Sequence, residues 1–338
     1  MSDRVLLTGI SGFLGGHVAL SLLNAGYTVR GSLRNLARAD QVRDTLHRAG
    51  AETGRLEFVT LDLLSDRGWD EAMAGVRYLQ HTASPFVLNI PRDRMELIRP
   101  AVEGTERALA AALRADVERI VLTSSMAAIA YGHDKTHPMP FTAADWTDLE
   151  GRPINAYIES KTRAERRAWQ IMEAAGRGGD LAVINPGGIF GPVLEEDPGT
   201  SALLVLRLLN GSVPAAPRIP MTVIDVRDVA AAHLAAMTAP EAGGRRFPMG
   251  VDTLFLKQAA DLLRPHYPDH RIPRLEMPDW VVRLYALFDR DVRDNLGELG
   301  YAKPLDSTPA VALLGRPLIS GPDAILATAE SLVAHWLV

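Results

Sequence analysis

The chain has 338 residues, of which 47% are hydrophobic and 23% are charged, and this balance is typical of a globular protein rather than a disordered or coiled-coil one. A formal net charge of −5 offers no positive field to a nucleic-acid backbone, and no apolar stretch approaches the ~20 residues that cross a bilayer. We expect a cytoplasmic protein with no nucleic-acid or membrane partner, and the absence of cysteine excludes disulfides and thiolate metal sites.

Short apolar runs alternate with stretches of helical periodicity through the first part of the chain. The runs that predict strands are residues 5–7, 28–29, 56–59, 76–79, 120–122 and 181–184, and the main predicted helices are 18–25, 95–114 and 156–175. This order predicts an α/β fold, a doubly wound Rossmann-like parallel sheet with helices on both faces. Ligands of such a sheet bind beyond the carboxyl ends of its strands.

The later part of the chain is richer in proline and less regular. Residues 223–224 and 246–247 predict further strands that rejoin the sheet domain, with a helix at 229–237 between them. We therefore assign residues 1–189 and about 221–250 to the sheet domain, and 190–220 and about 251–338 to a smaller, mainly helical substrate-binding lobe. That lobe contains predicted helices at 201–209, 278–288 and 322–337, and we interpret the apolar stretch 280–288 as core, a pocket wall being the alternative.

A glycine-rich turn follows the first strand and opens the first helix. Gly9 permits a tight turn, Gly12 lets the main chain approach a pyrophosphate, and Gly15 allows close packing of helix on strand. Because the helix N-terminus attracts negative charge, the segment predicts a dinucleotide site. Its residues are Thr8, Gly9, Ser11, Gly12, Phe13, Leu14 and Gly15.

The end of the second strand selects between the two nicotinamide dinucleotides. An acidic residue there would bind a ribose 2′-hydroxyl and repel a 2′-phosphate, but the segment contains none and carries Arg34, with Arg38 one turn on. A guanidinium suits phosphate oxygens, so we expect NADP(H) as the preferred cofactor, with NAD(H) as the alternative and a solvated surface role for both arginines left open. Further expected cofactor contacts follow the third and fourth strands, at Asp62 and Leu63 and at Thr82, Ala83 and Ser84.

A phenol and an ammonium lie four residues apart, at Tyr157 and Lys161, on one face of a predicted helix. A carbonyl reductase needs a proton donor for the substrate oxygen, and a nearby positive charge would lower the pKa of a tyrosine from ~10 toward neutrality. The fifth strand ends in Thr123, Ser124 and Ser125, and we expect Ser125 to orient the carbonyl, with Ser124 behind it.

These segments together resemble the extended short-chain dehydrogenase/reductase family, and within it the dihydroflavonol reductase, cinnamoyl-CoA reductase and microbial aldehyde reductase group. The resemblance implies Ser125, Tyr157 and Lys161 as catalytic residues and Arg34 as the 2′-phosphate contact. It places the nicotinamide beside a segment with the residues Pro186, Gly187, Gly188 and Ile189, and adds Thr123, Ser124, Tyr157 and Lys161 to the cofactor contacts. Ala130 stands where plant flavonoid reductases have a substrate-binding asparagine, which disfavours a dihydroflavonol substrate.

The sequence therefore predicts an NADPH-dependent aldehyde or ketone reductase that acts on a small molecule. The alternatives are a sugar-nucleotide epimerase or 3β-hydroxysteroid dehydrogenase-like enzyme with the same catalytic set, and a non-enzymatic nucleotide sensor. The expected substrate contacts are Phe86, Ser125, Tyr131 and Phe190. We expect no metal, since His133 and His137 have no further ligand cluster nearby, and both a monomer and a homodimer remain open.

Overall fold

The computed structural model describes residues 3–84, 93–151, 154–195, 199–288, 292–293 and 296–335. Its central feature is a seven-stranded parallel sheet with the strand order β10-β6-β5-β4-β1-β2-β3. These strands are β1 Arg4–Thr8, β2 Thr28–Leu33, β3 Leu56–Thr60, β4 Tyr78–His81, β5 Arg119–Thr123, β6 Leu181–Pro186 and β10 Arg245–Met249. The predicted Rossmann-like sheet is confirmed, and its strand order reverses between β1 and β4, where such folds bind their ligands.

Helices cover both faces of the sheet. They are α1 Phe13–Asn24, α2 Ala39–Arg48, α3 Trp69–Met73, α4 Met95–Arg114, α5 Ala156–Ala174, α6 Gly199–Leu209, α7 Val226–Thr238, α8 Leu256–Leu263, α9 Asp279–Tyr285, α10 Thr308–Leu314 and α11 Gly321–Ala334. Apolar residues of α1, α2 and α7 form one core with one face of the sheet, and those of α3, α4 and α5 form a second core with the other. In β1, Val5 and Leu7 join the first core and Leu6 joins the second, as the period of a strand buried on both faces requires.

A second, smaller sheet contains the predicted strand at residues 223–224. They lie in β9 Pro220–Asp225, which pairs with β7 Gly188–Phe190 and β11 Asp252–Phe255 instead of joining the main sheet. The reason lies at Gly187, the single residue between β6 and β7, where the chain leaves the main sheet. A Cβ on Gly187 would lie 2.3 Å from the Thr222 carbonyl oxygen, so glycine permits the close approach of β9.

The second sheet packs with helices into a separate core. Residues of α6, α8 and α11 surround Phe190 and Val223 there. Two further short strands, β8 Ala216–Pro217 and β12 Glu276–Met277, pair with each other beside this core. None of the helices in the described ranges is both long and apolar enough to cross a membrane.

The apolar stretch that follows β12 does not pack in the core as the sequence predicted. Its buried residues are Val282 and Ala286, whereas Trp280 is 68% and Phe288 is 83% exposed. The helical period predicts that one face of α9 is apolar and buried. In the structure, most of the large apolar side chains of this stretch lie on the solvent-exposed face instead.

Candidate active site

The glycine loop connects β1 to α1 at the strand-order reversal. Gly9 has a φ of +76°, which favours glycine, and its carbonyl accepts a hydrogen bond of 3.0 Å from the Gly12 amide. A Cβ on Gly15 would lie 2.0 Å from that same carbonyl oxygen, so the helix can pack this closely only with glycine there. A cleft opens above the loop, lined on its other sides by Val42 and Leu46 of α2 and by residues 193–195.

The ends of β1 and β4 are joined by hydrogen bonds among the predicted cofactor residues. The Thr8 hydroxyl lies 2.8 Å from Nδ1 of His81 and accepts a bond of 3.1 Å from the Ala83 amide. The Thr82 hydroxyl donates to the Thr8 carbonyl over 2.6 Å. These two hydroxyls are engaged within the protein, so any ligand contact at this edge of the sheet would come from the main chain and the small side chains of Ala83 and Ser84.

Arg34 follows β2 as an exposed side chain, and no hydrogen bond or ion pair ties it to the described residues. Arg38 is less free, because its guanidinium lies 3.7 Å from Oε2 of Glu195 across the cleft. Glu195 could not be predicted as a neighbour, since the two residues are distant in the chain. Asp62 is exposed and accepts a bond of 2.9 Å from the Leu64 amide, which leaves carboxylate lone pairs for a ligand.

Two of the predicted cofactor residues have side chains turned into the protein. Leu63 packs against the second core, where a Cβ on Gly104 of α4 would lie 2.9 Å from its side chain. The Thr123 hydroxyl lies 2.9 Å from Nε2 of His233, which is fully buried. Any cofactor contact at these positions would therefore come from the main chain.

The structure brings Ser125, Tyr157 and Lys161 together at the carboxyl end of the sheet. Ser125 follows β5, is 7% exposed, and its hydroxyl accepts a bond of 3.1 Å from the Ala127 amide. Asn155 caps α5 by accepting a bond of 2.9 Å from the Ile158 amide, which places Tyr157 in the first turn. The Ser125 side chain hydrogen-bonds the Tyr157 phenol, and Lys161 lies one turn further along α5 with 8% of its surface exposed.

The pKa of Tyr157 corrects one expectation. Burial raises this pKa, and the hydrogen bond from Ser125 lowers it in part, whereas the sequence predicted a net lowering by Lys161. Burial also lowers the pKa of Lys161 to about 8, against the opposing charge of Glu165. A phenol with a raised pKa keeps its proton at neutral pH, which suits a group that must donate it.

A buried polar network lies behind these residues. Its member Ser124 was predicted, but Glu165, Asn185 and Arg246 were not. Glu165, one turn after Lys161, accepts hydrogen bonds from the Ser124 hydroxyl and from Nδ2 of Asn185, and it pairs with Arg246. The spacing of four residues from Lys161 could have indicated Glu165, because such residues share a helix face. Nothing in the sequence indicated that Arg246, in β10, would meet it.

The predicted substrate contacts differ in their surroundings. Tyr131 is half-buried, Nζ of Lys303 lies 4.5 Å from the centre of its ring, and burial together with nearby Glu298 and Tyr157 raises the pKa of its phenol well above the usual value. Phe190 is 1% exposed and packs in the core that the second sheet forms with its helices, which leaves almost no ring surface for a substrate. Phe86 lies outside the described residues.

The remaining predictions concern the nicotinamide segment and metal ions. Pro186 ends β6, and Gly188 and Ile189 begin β7 on the far side of Gly187, at the same end of the sheet as Ser125. His133 and His137 lie side by side, with ring centres 4.2 Å apart. Within the described ranges, no three histidine, aspartate or glutamate side chains form a group that could hold a metal ion.

Comparison with known proteins finds similarity over most of the chain. Residues 5–250 match the model of the NAD dependent epimerase/dehydratase family. The chain is 34% identical over 275 residues to tetraketide alpha-pyrone reductase 2 of Arabidopsis thaliana (79% of this chain, 84% of the relative) and 33% identical over 271 residues to cinnamoyl-CoA reductase 1 of Petunia hybrida (80% and 79%). The solved structure of yeast methylglyoxal/isovaleraldehyde reductase Gre2 complexed with NADPH matches with a TM-score of 0.79 and 25% identity, covering 99% of this chain and 100% of that one.

Proposed function

Since the chain belongs to the NAD dependent epimerase/dehydratase family, we propose that it is an NADPH-dependent reductase of aldehydes or ketones. In the reverse direction it would oxidise an alcohol. The single observation that carries the proposal is the contact of Ser125 with Tyr157, one helical turn from Lys161, at the edge of the sheet that also bears the glycine loop. The names of the similar reductases support the same reaction class.

The residues around the glycine loop fit a dinucleotide. Gly9, Gly12 and Gly15 leave the main chain bare where a pyrophosphate would approach, at the N-terminus of α1. The exposed guanidinium of Arg34 is available for a 2′-phosphate, and Asp62 for the adenine amino group. A Candida albicans relative that is 31% identical over 293 residues is named a putative NADPH-dependent methylglyoxal reductase, which agrees with the phosphorylated cofactor.

In the proposed reaction, NADPH supplies the hydride that goes to the carbonyl carbon. The Ser125 hydroxyl turns from the Tyr157 phenol to the substrate oxygen and donates a hydrogen bond to it. As the C=O electron pair moves onto this oxygen, Tyr157 transfers its phenolic proton there and the alcohol forms. The phenolate that remains is stabilised by the Lys161 ammonium and regains a proton from solvent.

Lys161 has a second proposed task, which is to hold the nicotinamide ribose hydroxyls. Its ammonium has no hydrogen-bond or ion-pair partner among the described residues, so its donors are available. A single lysine would then fix the cofactor relative to the proton donor, and such orientation lowers the barrier.

The experiment that tests the proposal is the initial rate of NADPH oxidation with aldehydes, α-diketones, aryl ketones and ketosteroids, with NADH in parallel. We expect turnover of at least one carbonyl class and faster turnover with NADPH. UDP-hexoses serve as the alternative substrates: interconversion of UDP-hexoses without net NADPH oxidation would replace the reductase with an epimerase. Cofactor binding without turnover of any of these substrates would favour a nucleotide sensor.

A further inference from the structure

The Glu165 carboxylate is fully buried, and four donors from four different parts of the fold reach it. Oε2 accepts from the Ser124 hydroxyl over 2.5 Å and from Nδ2 of Asn185 over 2.7 Å. Oε1 accepts from Nε of Arg246 over 2.5 Å and from Nε1 of Trp169 over 3.4 Å. A carboxylate out of water needs such partners to stay charged, and this one has them on both oxygens.

Arg246 is held equally firmly on its other side. Its guanidinium donates to the carbonyls of Ala143 and Asp145 over 2.8 and 2.6 Å, and it lies 3.9 Å from the centre of the Trp146 ring. A buried ion pair is a poor device for stability alone, because well-packed apolar residues commonly stabilise a fold as much. The position of the pair therefore points to a role in the adjacent site.

The network reaches the proposed catalytic serine through the main chain. Nδ2 of Asn185 donates to Glu165 and also, over 3.3 Å, to the carbonyl of Ser125. Ser124, the neighbour of Ser125, is bound directly by the same carboxylate. The end of β5 is thus fixed to α5 at Glu165, one turn from Lys161.

Within the described part of the chain, few charges face the Lys161 ammonium. Glu165 is on its own helix, the Tyr157 phenol is one turn earlier, and Arg246 approaches from β10 behind Glu165. From β4 comes His81, which is neutral near pH 7, since burial and then Lys161 lower its pKa to about 4. The charges of α4 that face α5 are already paired: its N-cap residue Arg94 with Glu159, and Glu106 with Arg167. Among the residues that the structure describes, Glu165 is the anion whose charge opposes the effect of burial on the Lys161 pKa.

We propose that Glu165 is a positioning residue of the proposed reductase site, whose carboxylate fixes the Ser124–Ser125 strand end and provides the negative charge one helical turn from the Lys161 ammonium. Arg246 balances this charge and holds the carboxylate in place. The inference rests on the proposed function for its catalytic meaning, but its electrostatic part concerns Lys161 alone and can be measured without any substrate.

That measurement is an NMR titration of the lysine side chains. The chain has only four lysines, at positions 135, 161, 257 and 303, so protein labelled with ¹³C at lysine Cε gives a simple spectrum, and Lys161→Met assigns the signal. We expect the Lys161 titration to move to lower pH in Glu165→Gln, because the opposing charge is lost. Glu165→Asp keeps that charge and leaves the titration near its wild-type position.

Arg246→Gln removes the positive charge of the pair, whereas Glu165→Gln removes the negative one. It therefore provides a second test if Glu165→Gln does not fold. Without Arg246 the carboxylate acts on Lys161 undiminished, so the titration moves to higher pH. A purely structural ion pair would give no shift, or the same shift from both partners, and either result overturns the proposal. The control variant is Met73→Ala, which creates a cavity in the core between α3 and α4. It lowers stability without touching the polar network of Glu165.

Kinetics tests the positioning part with the same variants. We expect kcat with NADPH and the best carbonyl to fall by about tenfold or more in Glu165→Gln, with a smaller change in the carbonyl KM. An unchanged kcat together with an unchanged Lys161 titration removes the role altogether. If the wild type reduces no carbonyl, the proposed function fails, whereas the titrations still decide whether Glu165 sets the charge of Lys161.

Discussion

Ser125 at the end of β5 hydrogen-bonds Tyr157 in the first turn of α5, although the two side chains arise from different elements. The serine approaches the phenol because its own hydroxyl oxygen is held by the Ala127 amide, which leaves its proton for the tyrosine oxygen. Burial keeps the phenol protonated, and the serine bond partly offsets that effect on its pKa. For both hydroxyls to donate to one carbonyl oxygen, as we propose, the Ser125 proton must turn from the phenol to that oxygen.

Arg34 provides a test of cofactor choice. Arg34→Gln removes an exposed cation that we propose to bind the 2′-phosphate, and a charge-assisted bond of this kind corresponds to roughly a tenfold to hundredfold change in affinity. We expect the KM for NADPH to rise by that factor with kcat nearly unchanged, and the KM for NADH to stay the same. Steady-state rates with both cofactors measure this, with Arg48→Gln, exposed on α2, as the control. An equal rise of the KM for NADPH and the KM for NADH in Arg34→Gln would contradict a 2′-phosphate contact.

Two adjacent glycines of α1 allow a matched comparison. A Cβ on Gly15 would lie 2.0 Å from the Gly9 carbonyl oxygen, whereas a Cβ on Gly16 would meet only Leu194, at 3.4 Å. We expect Gly15→Ala to distort the glycine loop and to weaken NADPH binding by about tenfold or more, with a lower Tm. Gly16→Ala should bind NADPH like the wild type. Fluorescence titration with NADPH and thermal unfolding check both, and similar behaviour of the two variants would show that the close approach has no role in binding.

The decline of activity at alkaline pH is expected to follow the loss of the Lys161 proton. Burial lowers its pKa to about 8, so the ammonium is present below that pH and is lost above it. We expect kcat/KM for carbonyl reduction to decline above about pH 8, since the phenolate formed from Tyr157 loses its positive neighbour. In Lys161→Arg the remaining activity should show no such decline, because guanidinium stays charged. If the decline above about pH 8 persists unchanged in Lys161→Arg, another group causes it.

Buried histidines predict sensitivity to acid. Burial lowers the pKa of His81 to about 4 and that of His233 to about 3, from an ordinary value of 6.5. Both are neutral in the folded state, so as the pH falls below 6.5 the unfolded chain binds protons first, and stability declines until the folded-state values are reached. We expect the free energy of unfolding by urea to be lower at pH 5 than at pH 7.5, by roughly a few kcal/mol.

His233→Gln should flatten that dependence on pH, even if the variant is less stable throughout. Its ring bridges Gln80 and Thr123, so the substitution disturbs two hydrogen bonds as well as one titration. His47→Gln, an exposed position on α2, controls for the loss of a histidine as such. If the free energy of unfolding depends on pH equally in the wild type and in His233→Gln, His233 does not cause the loss of stability in acid.

The elements that position the site could be predicted from local sequence patterns. The glycine spacing indicated the turn between β1 and α1, and the spacing of Tyr157 and Lys161 indicated a shared helix face, because both signals lie within a few residues. The strand at residues 223–224 was predicted, but its partners were not, because apolar alternation does not indicate which strands pair. The pairing of β9 with β7 and β11, beside the close approach at Gly187, places it in the second sheet.

Features that depend on distant contacts were not predictable. Glu165 and Arg246 meet through the order of β5, β6 and β10, and Glu195 reaches Arg38 across the cleft. The direction of the Tyr157 pKa depends on how deeply the phenol is buried, which residue spacing does not report. Phe190 illustrates the same limit, since a phenylalanine beside a glycine segment suits a pocket wall or a core equally, and here it is core.

In the proposed reaction, Tyr157 donates the proton in carbonyl reduction by NADPH. The most direct measurement compares single-turnover NADPH oxidation by the wild type and Tyr157→Phe, with the best carbonyl substrate and with cofactor binding measured separately. We predict that the variant binds NADPH as the wild type does and that its rate falls by about a hundredfold or more, the usual contribution of a positioned acid. Wild-type turnover in Tyr157→Phe with bound NADPH would contradict this assignment of the proton donor.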